Sequence, residues 1–223
     1  MKKTEHLGDA KAPDGTVLKL YRHDGAYAIR VNNVELMSTR RHNSEDRLAE
    51  LVCAPIATAR SPRVLIGGLG LGFTLRTALQ ILPVDATVIV SELIREVIAW
   101  NENPEYALAH QELADPRVHL RHADVAGELR RPDAGFDAIM MDVDNGAESF
   151  TTKGNGRLYE SGGIYVAAAA LRARGRIAYW SSNEDNALAR AMREADLDVQ
   201  VHSARAHLTS GAWHTIYVGQ RRA

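Results

Sequence analysis

The sequence predicts an α/β protein: a mostly parallel sheet with an antiparallel last strand, covered on both faces and preceded by a small β meander. Three observations predict it. A short apolar strand, Arg63-Val64-Leu65-Ile66, runs into the glycine cluster Gly67-Gly68-Leu69-Gly70-Leu71-Gly72. About twenty residues later a second apolar run, Ala86-Thr87-Val88-Ile89-Val90-Ser91, ends in Glu92. From Arg63 onward, strand-like and helix-like segments alternate, as in a parallel sheet built with right-handed crossovers.

The first part reads as β. Thr16 to Arg22 alternates, Asp24-Gly25 is a turn signal, Tyr27 to Val31 alternates again, and Asn32-Asn33 leads into Val34 to Ser38. Ser44 is placed to cap a helix, with Glu45 and Asp46 in the first turn, where the helix dipole favours acids. Leu48, Leu51, Val52 and Ile56 form its apolar stripe, and Pro55 is expected to kink or shorten it. Strands are expected at Arg63 to Ile66, Thr87 to Ser91, Val118 to Arg121, Phe136 to Asp142 and Arg176 to Ser181. The helices expected between them are Phe73 to Leu82, Leu93 to Trp100, a short piece started by Pro104, and Leu158 to Arg172. A helix from about Asp185 to Ala195 and two strands, Asp198 to Ser203 and Trp213 to Gly219, close the chain. The expected division is a meander over residues 1–42 and a ligand-binding domain over 43–223.

Composition sets bounds. The chain has 223 residues, long enough for one α/β domain with a small appendage. A net charge of −1 advertises neither nucleic acid nor an anionic membrane as partner. No stretch approaches the roughly 20 apolar residues of a membrane span. Met1-Lys2-Lys3-Thr4-Glu5-His6 lacks the apolar core of a signal peptide, so a cytoplasmic location is the default expectation. The one cysteine, Cys53, lies on an apolar helix stripe and reads as a buried structural thiol. Trp100, Trp180 and Trp213 read as core or sheet-end packing.

Glycines between a strand and a helix let backbone approach a ligand and expose the first N–H groups of the helix. Tight strand-to-helix packing alone also uses glycine. An acid at the tip of the next strand can accept from both hydroxyls of a ribose. Gly68, Gly70 and Gly72 are spaced G-x-G-x-G rather than G-x-G-x-x-G, so the third glycine of a dinucleotide loop is missing. No Gly-Lys-Ser/Thr follows, which excludes a P-loop. Asp124, after Val118-His119-Leu120-Arg121, reads from the residues alone as a helix N-cap for Val125 to Leu129.

The chain resembles the spermidine synthase-like (polyamine aminopropyltransferase-like) branch of the class I S-adenosylmethionine-dependent methyltransferase superfamily. The residues that carry the resemblance are Val34 to Thr39, Ile66-Gly67-Gly68, Ser91-Glu92, Ala123-Asp124, Met141-Asp142, Leu158-Tyr159-Glu160 and His214 to Val218. It implies a class I methyltransferase-like Rossmann sheet and an S-adenosylmethionine-type donor. It also implies donor-binding roles for Gly67, Gly68, Gly70, Gly72, Glu92 and Asp124, a small-molecule acceptor, and a homodimer. The departures matter as much. Family aminopropyltransferases carry an acid in the loop that holds the amine of decarboxylated S-adenosylmethionine, and Gly70 stands at that place. Their D-x-x-D-P becomes Asp142-Val143-Asp144-Asn145-Gly146, and a Tyr-His pair that serves the polyamine has no counterpart near Glu45-Asp46-Arg47-Leu48.

Burying a cationic donor amine without an acid is costly. The leading expectation is therefore a methyltransferase acting on a small, amine-bearing acceptor. The alternatives are aminopropyl transfer from decarboxylated S-adenosylmethionine and a catalytically silent nucleoside-binding subunit. Asp142 and Asp144 are the candidate catalytic residues, with Glu148 close behind, because three carboxylates suit an amine or cation. Asp144-Asn145-Gly146 also reads as a plain turn. With His207 or His214 the acids could hold a divalent ion, but no spacing specifies one. Thr151 to Gly156 reads either as a lid or as a connection, and His42 with Arg40-Arg41 either as part of the acceptor wall or as a solvated turn.

Overall fold

The computed structural model describes residues 3–131, 135–143 and 156–223. Four antiparallel strands open the chain, β1 (Glu5–Lys11), β2 (Val17–His23), β3 (Ala26–Val31) and β4 (Val34–Ser38), paired in that order. The alternation read from the sequence buries Leu18, Leu20, Ile29 and Val31 on one face. Asp24, Asn32 and Asn33 take positive φ in the turns, which short polar side chains tolerate. Strand β1 was not expected. A register shift between His6 and Gly8 breaks its alternation and hides it from a period-two reading.

Helix α1 (Asn43–Cys53) follows. Its N-cap is His42, without a side-chain cap, so Ser44 does not cap it as expected. Ser44 is instead buried inside the first turn, beside Glu45 and Asp46. Pro55 stops the helix, and the chain continues as a 3-10 turn, Ala54–Ile56. Cys53 is fully buried, and burial pushes its thiol up to about 12, so it is inert at neutral pH.

The second sheet has seven strands: β5 (Arg63–Gly67), β6 (Thr87–Glu92), β7 (Val118–His122), β8 (Phe136–Met141), β9 (Leu171–Ser181), β10 (Leu197–Arg205) and β11 (Trp213–Arg221). Their spatial order is β10-β11-β9-β8-β5-β6-β7, and β11 runs antiparallel to both its neighbours. The helices are α2 (Phe73–Ile81), α3 (Arg95–Glu102), α4 (His110–Leu113), α5 (Val125–Leu129), α6 (Gly156–Tyr159), α7 (Ser161–Ala169) and α8 (Asn186–Glu194). Two expectations change. No helix starts at Pro104; the chain turns there and α4 forms later. Strand β9 starts at Leu171, so the helix expected to run through Arg172 ends at Ala169. Leu171 pairs with Phe136, and the register then jumps to Arg176 opposite Ala138. Arg174 at φ 63 and Gly175 absorb the extra residues.

One apolar cluster packs on each face of the large sheet, and alternate residues of β5 divide between them, Leu65 to one side and Val64 and Ile66 to the other. Each such fully buried side chain contributes about 1.5–3 kcal/mol. A third cluster joins the meander to Leu71 within the glycine loop, to Phe73 just after it and to Ile94, Val97 and Trp100. Trp213, by contrast, sits exposed at the end of the sheet, under the Arg205 guanidinium at 4.6 Å. Among the described residues no helix is long and apolar enough to cross a membrane.

Strand order reverses between β5 and β8, which are neighbours in the sheet but not in sequence. Open α/β sheets bind ligands in the crevice at such a switch point. Gly68 sits there at φ 93, and a Cβ on it would lie 2.2 Å from the backbone oxygen of Asp142. Gly68→Ala should therefore cost at least ~1–3 kcal/mol of stability in urea unfolding, through backbone strain and displacement of Asp142. An unchanged midpoint would show that the loop tolerates a side chain.

Candidate functional site

The carboxyl ends of β5, β6, β7 and β8 converge on a cleft roofed by the meander. It encloses about 690 Å³ of empty space, part of it open to solvent. Gly68, Gly70, Glu92, Asp124 and Asp142 line it, with Leu36 and Met37 of β4 opposite. Five of the residues singled out in the sequence are thus brought together. Gly67 and Gly72 do not line the cleft; their lack of a side chain serves packing. A Cβ on Gly67 would meet Val125 at 2.9 Å, and one on Gly72 would meet Ala109 at 2.3 Å.

Backbone hydrogen bonds fix the strand tips. The Gly68 N–H donates to the Ser91 carbonyl at 2.9 Å, and the Asp142 N–H to the Gly67 carbonyl at 2.9 Å. Glu92 then ties the loop to the next segment: its carboxylate accepts from the Leu69 N–H at 2.9 Å and from the Ile94 N–H at 2.8 Å. It is buried, and burial raises its pKa while these backbone donors pull it down. Each oxygen keeps further acceptor capacity. A third anchor, Asn101, went unnoticed in the sequence. Fully buried on α3, it donates to the Gly70 carbonyl at 2.9 Å. A polar residue on the buried face of an otherwise amphipathic helix was its only signal.

Asp124 adopts the capping role: it is the N-cap of α5 and accepts from the Ala126 N–H at 2.8 Å. It remains exposed at the cleft wall.

Asp142 follows β8. Thr74, the second residue of α2, donates to its Oδ2 at 2.5 Å. Burial pushes the Asp142 carboxyl up to about 6, with the Thr74 hydrogen bond opposing and the Glu92 charge adding to the rise. Beside it stands Glu45, whose backbone oxygen lies 3.5 Å from the same Thr74 hydroxyl. Burial, and after it the charge of Asp142, push Glu45 up to about 8. The Ser44 hydroxyl donates to Glu45 Oε2 at 2.5 Å, and His214 Nδ1 lies 3.0 Å from that hydroxyl. Burial lowers the His214 pKa. The start of α1 is half-buried: His42 stacks on Phe73 at 4.0 Å and bonds Asp46 at 2.6 Å, while Arg40 and Arg41 stay exposed. Sequence reading placed Glu45 only as a helix-dipole acid and did not pair it with Asp142.

Asp144, Asn145, Gly146, Glu148 and the loop from Thr151 through Asn155 lie outside the described residues. Among the described residues no group of three His, Cys, Asp or Glu side chains is arranged to hold a metal ion.

The acid pair has a consequence for stability. Both folded pKa values lie above those of free carboxyls, so the folded chain binds more protons than the unfolded chain. The resulting stabilisation is complete below the unfolded pKa values and is lost as pH rises through about 6 and about 8. Melting temperature should fall between pH 6 and 9, and Glu45→Gln should flatten that fall; an equally steep decline in the variant would contradict the pairing.

No protein-family model matches the chain, and no curated protein matches it. Its fold is shared with solved spermidine synthases. One, a spermidine synthase in complex with the transition-state analogue AdoDATO, superposes with a TM-score of 0.75 at 15% identity, over 97% of this chain and 72% of that one. The enzyme from Thermotoga maritima gives 0.71 at 16% identity, over 97% and 72%. A probable spermidine synthase from Corynebacterium glutamicum ATCC 13032 gives 0.64 at 19% identity, over 96% and 79%. The chain has the spermidine synthase-like form of the class I methyltransferase fold, meander included.

Proposed function

We propose that the chain is a transferase that takes S-adenosylmethionine in the cleft and methylates a small, amine-bearing acceptor. The residues present fit such a donor. Glu92 offers two carboxylate oxygens to the ribose hydroxyls, Asp124 an acceptor for the adenine amino group, and the turn at Gly68 and Gly70 bare backbone. The donor supplies a methyl group on a sulfonium, and positioning accounts for much of the acceleration in such a displacement. Asp142 orients the acceptor nitrogen and takes its proton. Its pKa of about 6 keeps it largely ionised at neutral pH while leaving it more basic than an ordinary carboxylate. Asp144 belongs to the same proposal as a second acid.

The observation that favours methyl over aminopropyl transfer is the wall at Gly70. A Cβ there would lie 3.1 Å from the Met37 sulfur, so an apolar thioether faces the place where an acid would hold a donor ammonium. The second reading, aminopropyl transfer, draws support from Asp142 and from the fold shared with spermidine synthases.

Calorimetry separates the two. The chain should bind S-adenosylmethionine at least about tenfold more tightly than its decarboxylated form, a difference of ~1.4 kcal/mol. Gly70→Asp should narrow or reverse that preference, since Asp tolerates the left-handed backbone and Met37 can move aside. Tight binding of only the decarboxylated donor by the unaltered protein would favour aminopropyl transfer; binding of neither by a folded chain would remove the donor reading.

A further inference from the structure

Glu45 lies behind Asp142 at the back of the cleft, on the first turn of α1. The Thr74 hydroxyl joins the two residues, 2.5 Å from the Asp142 carboxylate and 3.5 Å from the Glu45 backbone oxygen. On its other side Glu45 is linked through Ser44 to His214 of β11, by contacts of 2.5 and 3.0 Å. The charged or titratable groups around the pair are Asp46 on α1, with the N-cap His42 bonded to it, Glu92 on β6 and His214 on β11. Among the described residues no arginine or lysine is placed to neutralise either acid. The Asp142 charge opposes ionisation of Glu45 and no cation offsets it, so the pair keeps one proton.

We propose that Glu45 is a positioning residue that exchanges its proton for the positive charge of the sulfonium donor, with Ser44 and His214 as the path to solvent. This rests on the donor reading above. With no donor bound, Asp142 carries the charge and Glu45 keeps the proton. A sulfonium beside Asp142 supplies the missing cation, so the second acid can ionise.

The His214–Ser44–Glu45 chain is suited to carry that proton away. With Glu45 protonated, its hydroxyl donates to Ser44 and Ser44 donates to His214 Nδ1. With Glu45 ionised, both hydrogen bonds reverse. One concerted reversal therefore moves a proton from Glu45 to His214, whose Nε2 proton then leaves to solvent. The reverse exchange accompanies transfer. As the new N–C bond forms and the C–S bond breaks, the electron pair stays on sulfur and the proton leaves nitrogen for Asp142. The sulfonium charge is gone at that moment, so the pair again carries one proton and one negative charge. Charge at the back of the cleft is thus conserved through the cycle.

S-adenosylmethionine and S-adenosylhomocysteine differ in the sulfonium charge but share the amino and carboxylate groups. Calorimetric binding of each, repeated at pH 7 in buffers of different ionisation enthalpy, counts the protons released. The expected result is that the sulfonium ligand releases up to about one proton more than the thioether. Glu45→Gln should abolish that difference while leaving the affinity for S-adenosylhomocysteine within about twofold. Equal proton counts for the two ligands in the unaltered protein, or an undiminished difference in Glu45→Gln, would overturn the proposal. The comparison in the unaltered protein stands even if the variant folds poorly. Failure of both ligands to bind would be a different result, because it removes the donor reading and this inference with it.

Discussion

The buried carboxylate of Glu92 is the contact on which the site depends. It accepts one backbone N–H from the glycine loop and one from the start of the next helical segment. Both segments leave the sheet at neighbouring strand tips, and neither has a side-chain helix cap of its own. An acid at this position therefore does structural work before any ligand arrives. That dual use explains how an ionisable group can be buried without an ion partner: backbone donors replace part of its lost hydration. Both oxygens are held by backbone while the residue lines the cleft, so the side chain has little freedom to turn away.

The rest of the cleft follows from topology. A switch point at β5 and β8 brings Gly68 and Asp142 into backbone contact, so the glycine loop and the tip of β8 are held together. Thr74 extends that link into α2, and the meander closes the cleft from above with Leu36 and Met37. The polar groups lie on the sheet side, while apolar side chains line the roof and also the sheet side at Ile94, Val97, Val125 and Val143. Two acids, Asp142 and Glu45, stand at the end of β8 and the start of α1. Burial raises the pKa of both, and the Asp142 charge raises that of Glu45 further.

Much of this was legible in the sequence because it rests on local patterns. The strand, the glycine cluster and Glu92 fall within thirty residues, and each obeys a short-range rule. The antiparallel last strand was readable from the final pair of strands. What escaped depends on pairing between distant residues. Strand β1 is interrupted by its own irregular register, and the start of β9 is set by Phe136 rather than by anything near Leu171. Ser44 looks like a cap because the residue types suit one, yet its hydroxyl turns toward Glu45 and His214, the latter 170 residues away. Likewise Glu45 reads as a surface acid on a helix start until β8 brings Asp142 beside it. Side chains that meet across elements leave no mark of their own in a single sequence.

The account stands on the claim that Glu92 and Asp142 face one nucleoside sulfur ligand from opposite ends. A crystal structure with S-adenosylhomocysteine bound tests it most directly. The account predicts the ribose hydroxyls on Glu92, the adenine beside Asp124 and the sulfur turned toward Asp142. A ligand seated elsewhere, or one in this cleft with Glu92 bonded to backbone alone, would contradict it.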